Sequence, residues 1–109
     1  MKEKLITKTI SKGSQDIIYK EVFEVDNRKL NIEIKSDSYN DQCYARISVL
    51  KPDEGWYVLH SIHYSQMKTK SELYYILPRN EKPGIEFEKY FTDDIKELKR
   101  VAEQLLDLN

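Results

Sequence analysis

The sequence contains few cysteines, glycines and prolines: one cysteine, three glycines and three prolines among 109 residues. With Cys43 alone, no disulfide can form within the chain, and a free thiol fits a reducing compartment better than a secreted protein. The longest apolar run, Leu73 to Leu77, is far too short to span a bilayer, and no apolar segment follows Met1. These features predict a soluble, cytoplasmic protein with no membrane partner.

The glycines and the charge balance count against two further kinds of site. Gly13, Gly55 and Gly84 are scattered, so no glycine-rich loop can cradle the phosphates of a nucleotide, and we expect no cofactor. Charged residues make up 34% of the chain but balance to a net charge of −1. Because a protein that grips a duplex phosphate backbone is usually basic, this balance favours a well-solvated surface over that function.

The most informative segment is Asp16 to Ser36, because it predicts its own strand pairing. A two-residue turn at Asp26 and Asn27 brings Val25 opposite Arg28. The same register aligns apolar residues on one face and opposite charges on the other: Phe23 with Leu30, Tyr19 with Ile34, Glu24 with Lys29, and Lys20 with Glu33. A slip by one residue destroys both sets, so the register is strongly specified.

Further patterns extend this hairpin into an α+β fold. Strands are predicted at 5–10, 43–50 and 56–64, with further candidates at 72–77 and 85–88, and loops at 11–14 and 36–41. Thr92, Asp93 and Asp94 suit a helix N-terminus, where oxygen atoms accept the first free N–H groups. Apolar residues at helical spacing follow: Ile95, Leu98, Ala102, Leu105 and Leu106.

We therefore predict a single domain over residues 1–109. Its strands lie within 5–91 and form an antiparallel sheet of about five to six strands, a meander rich in hairpins. One C-terminal amphipathic helix, at about 93–108, packs on one face of the sheet.

Two histidines raise the question of a metal site. His60 and His63 are three residues apart, and on a strand this spacing points their side chains to opposite faces. Only one cysteine is available to add a ligand. The sequence therefore predicts no metal centre.

A thiol–imidazole pair is a second hypothesis. If the turn after Leu50 holds five residues, Leu50 faces Trp56, and counting back places Cys43 opposite His63, near Asp41. A four-residue turn pairs Cys43 with Tyr64 instead. Free cysteine is also a common small core residue, which is the simpler role. Because no set of nucleophile, base and orienting group can be assembled, we expect a protein that is not an enzyme.

The aromatic content is the one unusual feature of the composition, because eight tyrosines and one tryptophan are many for a chain of 109 residues. The hairpin of residues 43–64 is predicted to present aromatic and cationic side chains on one face, with two lysines following it: Tyr44, Arg46, Trp56, His60, Tyr64, Lys68 and Lys70. Such a face suits the stacking of single-stranded nucleic acid and suits a protein interface equally well. Tyrosine also fits half-buried strands, and the helix can cover some of these rings.

A net charge near zero favours a protein partner over nucleic acid. The short, Lys-, Ile-, Asn- and Tyr-rich composition resembles that of small proteins carried by phages and mobile elements of low-GC bacteria, which implies an accessory role such as binding a host protein. We predict a non-enzymatic protein-binding module that uses the aromatic sheet face or a sheet edge, with a second copy of itself as one partner. Binding of single-stranded nucleic acid is the alternative.

Overall fold

The computed structural model describes residues 2–12, 16–37, 42–64, 89 and 91–107. It contains five strands followed by a helix: β1 (Lys4–Lys12), β2 (Asp16–Val25), β3 (Arg28–Asp37), β4 (Gln42–Lys51), β5 (Gly55–His63) and α1 (Thr92–Leu106). The strands form one antiparallel sheet in the order β1-β2-β3-β4-β5, and α1 packs mainly against β4 and β5. The predicted α+β class is therefore confirmed. No helix in these ranges is both long and apolar enough to cross a membrane.

The β2–β3 hairpin has the predicted register. Asp26 and Asn27 form its turn with φ angles of 50° and 63°, the left-handed values that let a two-residue turn follow the twist of the strands. Asp and Asn adopt this region more readily than other L-residues because their short polar side chains can hydrogen-bond locally. Every predicted pair is present: Val25–Arg28, Glu24–Lys29, Phe23–Leu30, Lys20–Glu33 and Tyr19–Ile34.

Two strands run further than the sequence predicts. β1 continues through Lys12 and β3 through Asp37, into stretches whose residue types favour loops. The neighbouring strand β2 offers partners to these residues, since Ile17 pairs with Lys12 of β1 and with Ser36 of β3, and the ladder hydrogen bonds outweigh the local turn preference. The strands predicted at 72–77 and 85–88 lie outside the described residues.

Period-two alternation gives the sheet one buried face, which we call the inner face, and one partly exposed face, the outer face. The core lies between the inner face and α1, and it is almost entirely apolar: Ile17, Tyr19, Phe23, Val25, Leu30, Ile32, Ile34, Ala45, Ile47, Phe91, Leu98 and Ala102. Each large apolar side chain buried there contributes about 1.5 to 3 kcal/mol. The outer face carries most of the charged residues of the same strands, so the faces alternate in character as predicted.

Tertiary packing fixes the beginning of α1. The helix starts at Thr92 with Asp93 and Asp94 in its first turn, but Phe91 holds the N-cap position and no side chain caps it. The expected capping by a hydroxyl or carboxylate is therefore wrong. Phe91 is buried, and its ring centroid lies 5.5 Å from that of Tyr64, so the residue that precedes the helix packs against the core.

The apolar stripe of α1 is narrower than predicted. Leu98 and Ala102 are fully buried, and Ile95 and Leu106 pack against the core, but Leu105 is 59% exposed. At 3.6 residues per turn, Leu105 falls on the flank of a stripe centred near Ala102. The helix ends at Leu106, two residues before the predicted end, because the next residue adopts the left-handed conformation that terminates helices.

A largely buried ion pair ties α1 to β2 across the inner face. Lys99 Nζ lies 3.3 Å from Oε1 of Glu21, and 2.7 Å from Oε1 of Glu3. Tyr19 donates a hydrogen bond of 2.9 Å to the other oxygen of Glu21. Because Glu21 points into the core side of the sheet and is buried, its charge depends on these partners.

We expect Lys99→Met to lower the free energy of unfolding by about 2 to 3 kcal/mol, because it leaves the Glu21 carboxylate buried without its cation. Adding Glu21→Gln, which keeps an acceptor for Tyr19, should recover part of the loss. The measurement is urea unfolding at neutral pH.

The matched control is Lys96→Met on the same helix. Lys96 is exposed and has no ion pair with any residue the structure describes, so its loss should change stability by less than about 0.5 kcal/mol. Equal losses for the two lysine variants would show that the Glu21 pair does not hold the helix.

Candidate binding surface

β5 contains one residue that has no partner on β4, and this residue determines which face each of the following side chains is on. Leu50 pairs with Trp56, as the five-residue turn predicts. The register then shifts: Ser48 pairs with Val58, but Ile47 pairs with His60, so Leu59 has no partner on β4. Such a β-bulge reverses the alternation of faces for all residues that follow.

The bulge divides the predicted aromatic face. Tyr44, Arg46 and Trp56 lie on the outer face, whereas His60 and Tyr64 lie on the inner face, where Tyr64 packs against the core. The prediction of a single surface holding all five residues is therefore wrong, because a regular strand was assumed where an extra residue occurs. Lys68 and Lys70 lie outside the described residues.

The outer-face members are also far apart. Tyr44 stands six residues from Leu50, the partner of Trp56, which is about 20 Å at the rise of a β-strand. They form two separate groups rather than one platform.

The bulge also removes the thiol–imidazole pair. Cys43 is opposite Tyr64, whose N–H donates a 3.0 Å hydrogen bond to the Cys43 carbonyl, and not opposite His63. His63 pairs with Tyr44 on the outer face, whereas Cys43 is buried on the inner face. The Cys43–His63 contact is therefore wrong, and the simpler role, a small core residue, agrees with the burial of Cys43.

The two histidines lie on opposite faces of β5, His60 inward and His63 outward, so they cannot share an ion. Within the described ranges, no three His, Cys, Asp or Glu side chains stand close enough together to hold a metal.

The middle of the outer face is occupied by polar contacts around Glu33. Tyr44 donates a hydrogen bond of 2.7 Å to Glu33 Oε1, and Arg46 donates one of 3.2 Å to the same oxygen. Lys20 Nζ lies 3.9 Å from Glu33 Oε2. The Arg46 guanidinium also lies over the Tyr44 ring, 4.8 Å from its centroid. These contacts neutralise part of the positive charge that the predicted nucleic-acid face requires.

The environment of Tyr44 makes its phenol a weak acid. Burial, then the hydrogen bond to Glu33 and the negative charge of that residue, raise the pKa of Tyr44 from 10.0 to about 12. In the unfolded chain the phenol ionises at its ordinary pKa, so the unfolded state loses its proton first. Tyr44 therefore contributes stability that is fully present below pH 10 and is lost as the pH rises toward 12.

We expect Glu33→Gln to lower the pKa of Tyr44 while leaving it above 10, because burial remains when the carboxylate is removed. Titration of 13C-labelled tyrosine rings by NMR measures this directly. Glu24→Gln, which changes a carboxylate on the neighbouring strand β2, should leave the Tyr44 titration unchanged. An unaltered Tyr44 pKa in Glu33→Gln would contradict the assigned hydrogen bond.

The turn end of β5 carries a cluster of exposed apolar side chains, which we call the β5 patch: Leu50 (39% exposed), Trp56 (46%), Tyr57 (54%) and Val58 (43%). Leu50, Trp56 and Val58 are on the outer face, and Tyr57 is on the other side of the same strand. In the part of the chain that the structure describes, β5 has a hydrogen-bonded neighbour only on its β4 side. The patch therefore covers both faces and one edge of the sheet.

A cleft of about 590 Å³ adjoins the patch between the β2–β3 turn, the β4–β5 turn and the end of α1. Leu50 belongs to both features. Val49 and Leu106 supply further apolar wall, and three cations line the cleft: Arg28, Lys29 and Lys51. Lys51 Nζ lies 3.9 Å from the centroid of the Tyr57 ring, a cation–π contact.

Of the predicted binding residues, Trp56 alone belongs to the β5 patch. Leu50, Tyr57 and Val58 are absent from the prediction, which selected aromatic and cationic residues on one face. The sequence nevertheless holds a signal for them, because residues 55–59 form an apolar run without a charged residue.

Comparison of the chain with protein-family models, with curated proteins and with solved structures gives no match. The functional interpretation therefore depends on the residues and the geometry described above.

Proposed function

We propose that the chain is a non-enzymatic protein-binding module and that the β5 patch is the centre of its interface. The observation that carries this proposal is the joint exposure of four apolar side chains, including the single tryptophan, on a strand that has one hydrogen-bonded neighbour among the described residues. Tryptophan and tyrosine are the residues that most often dominate interface energies, and an apolar strand edge can add a partner's strand through backbone hydrogen bonds.

The opposite edge of the sheet has a different character. β1 also exposes apolar side chains, Leu5 and Ile6, but the strand carries lysines at positions 4, 8 and 12. Lysines on an edge strand discourage pairing with other strands. Residues 55–59 of β5 have no charged side chain, so this edge lacks that protection.

We assign the module an accessory role in the cytoplasm. Cys43 is the single cysteine and is buried, so it forms no disulfide within the chain, which suits a reducing compartment. The small size and mixed surface charge suit a protein that modifies the behaviour of a larger partner.

The test is a pair of matched double variants. Trp56→Gln with Val58→Thr removes apolar surface from the β5 patch, and Leu5→Gln with Ile6→Thr makes the equivalent change on β1. Immobilised wild type is used to capture proteins from a lysate, and the captured partner is then purified and titrated. We expect the β5 variant to bind about thirtyfold more weakly or worse, since a buried tryptophan commonly contributes about 2 kcal/mol.

The β1 variant serves as the control and should bind like the wild type. Both variants change exposed residues, so both should unfold within about 1 kcal/mol of the wild type. A partner that binds all three proteins equally, or is lost equally from both variants, would place the interface elsewhere.

Single-stranded nucleic acid is the second candidate. It is favoured by the exposed Trp56 ring, because its cross-strand partner Leu50 lines the cleft that also holds three cations. Because Trp56 is the single tryptophan, its fluorescence reports directly on this surface. If the alternative holds, a short oligonucleotide quenches the emission at low salt, and the effect fades at high salt as counterions compete for the phosphates. Unchanged emission at low salt would exclude this candidate.

A further inference from the structure

The backbone of β5 has a defined hydrogen-bonding pattern toward its open side. Residues of an antiparallel strand direct their N–H and C=O groups alternately to the two sides. The Tyr64 N–H bonds to Cys43, so the odd-numbered residues of β4 face β5, and Val49 therefore directs its backbone groups at Tyr57. Trp56 and Val58 then direct theirs away from β4, toward the side with no neighbour in the described chain.

The side chains on this edge are complementary to a copy of themselves. If two β5 strands run antiparallel with Tyr57 opposite Tyr57, each Trp56 lies opposite the Val58 of the second copy. Both Trp56–Val58 pairs are then hydrogen-bonded pairs, because these are the residues whose backbone groups point outward. Aromatic and β-branched side chains facing each other across strands are among the favourable cross-strand pairs.

The charges permit this arrangement as well. From Gly55 to His63 the strand carries no Lys, Arg, Asp or Glu, so two antiparallel copies place no like charges directly opposite each other on the paired strands. The cations nearest the axis are the two Lys51 ammonium groups, and each of them lies over a Tyr57 ring. On β1 a register shift between Leu5 and Thr7 places Lys4 on the outer face and leaves Lys8 and Lys12 on the inner face. An antiparallel copy of β1 centred on Lys8 therefore places two lysines opposite each other. Self-pairing is therefore specific to one edge, which closes the assembly at two copies instead of propagating a fibre.

We propose that β5 pairs with β5 of a second copy about a two-fold axis at Tyr57, which joins the described strands of the two copies into one continuous sheet. This rests on the proposed function and names a second copy as the partner of the β5 patch. The bulge at Leu59 limits the regular pairing to three residues in each copy, Trp56 to Val58, so the contact is small and we expect dissociation in the micromolar range or weaker.

Cysteine cross-linking tests the register. In a Cys43→Ala background, Tyr57→Cys places two thiols across a non-hydrogen-bonded pair, where Cα atoms are about 4.5 Å apart and a disulfide can form. In Trp56→Cys, and likewise in Val58→Cys, the two introduced cysteines lie diagonally across the paired strands. Their Cα atoms are then farther apart than the roughly 7 Å limit for a disulfide. Leu5→Cys on β1 gives the rate of random collision between exposed thiols.

We expect mild oxidation to link Tyr57→Cys at least about tenfold faster than the other three variants. Light scattering of the wild type should show a monomer–dimer equilibrium that Trp56→Gln with Val58→Thr shifts to monomer. Preferential linking at Trp56→Cys or Val58→Cys, equal rates for all four, or a wild type that stays monomeric at millimolar concentration would overturn the proposal. If the wild type is monomeric while the β5 double variant still loses a captured protein, self-pairing fails and the protein-binding function stands.

Discussion

One additional residue in β5 determines which side chains meet the helix and which meet solvent. Before Leu59 the strand presents Trp56 and Val58 to the outer face, and after it the strand presents His60 and Tyr64 to the core. Without the bulge, Tyr64 leaves the inner face, and its ring contact with Phe91, the N-cap residue of α1, is lost. The placement of the helix and the exposure of the β5 patch therefore depend on the same irregularity.

Glu21 and Glu33 lie on opposite faces of the sheet and have different structural roles. Glu21 lies on the inner face and is paired by Lys99, so it links the helix to the strands. Glu33 lies on the outer face, where it accepts a hydrogen bond from Tyr44 and forms ion pairs with Arg46 and Lys20. As a result the centre of the outer face is occupied by internal contacts, and the exposed apolar surface is displaced to the turn end of β5.

The hairpin register and the helix were predictable because each depends on a local pattern. Apolar and charged residues alternate on both sides of Asp26 and Asn27, and only one register satisfies them all. The candidate site was less predictable, since Leu59 resembles any other strand residue and nothing in its neighbourhood signals a bulge. Whether a residue is extra depends on its partner strand, and a pairing with such an insertion cannot be read from one strand alone. The position of Leu105 shows the same limit, because its exposure depends on where the helix axis lies over the sheet.

The order of elements along the chain has a consequence for biosynthesis. All five strands precede α1, and the meander forms through contacts between neighbours, whereas the Glu21–Lys99 pair spans 78 residues. As the chain leaves the ribosome, the hairpins can assemble while the segment that covers their apolar side is still being translated. The nascent sheet therefore passes through a stage in which its apolar inner face is exposed, and chaperones can bind it at this stage.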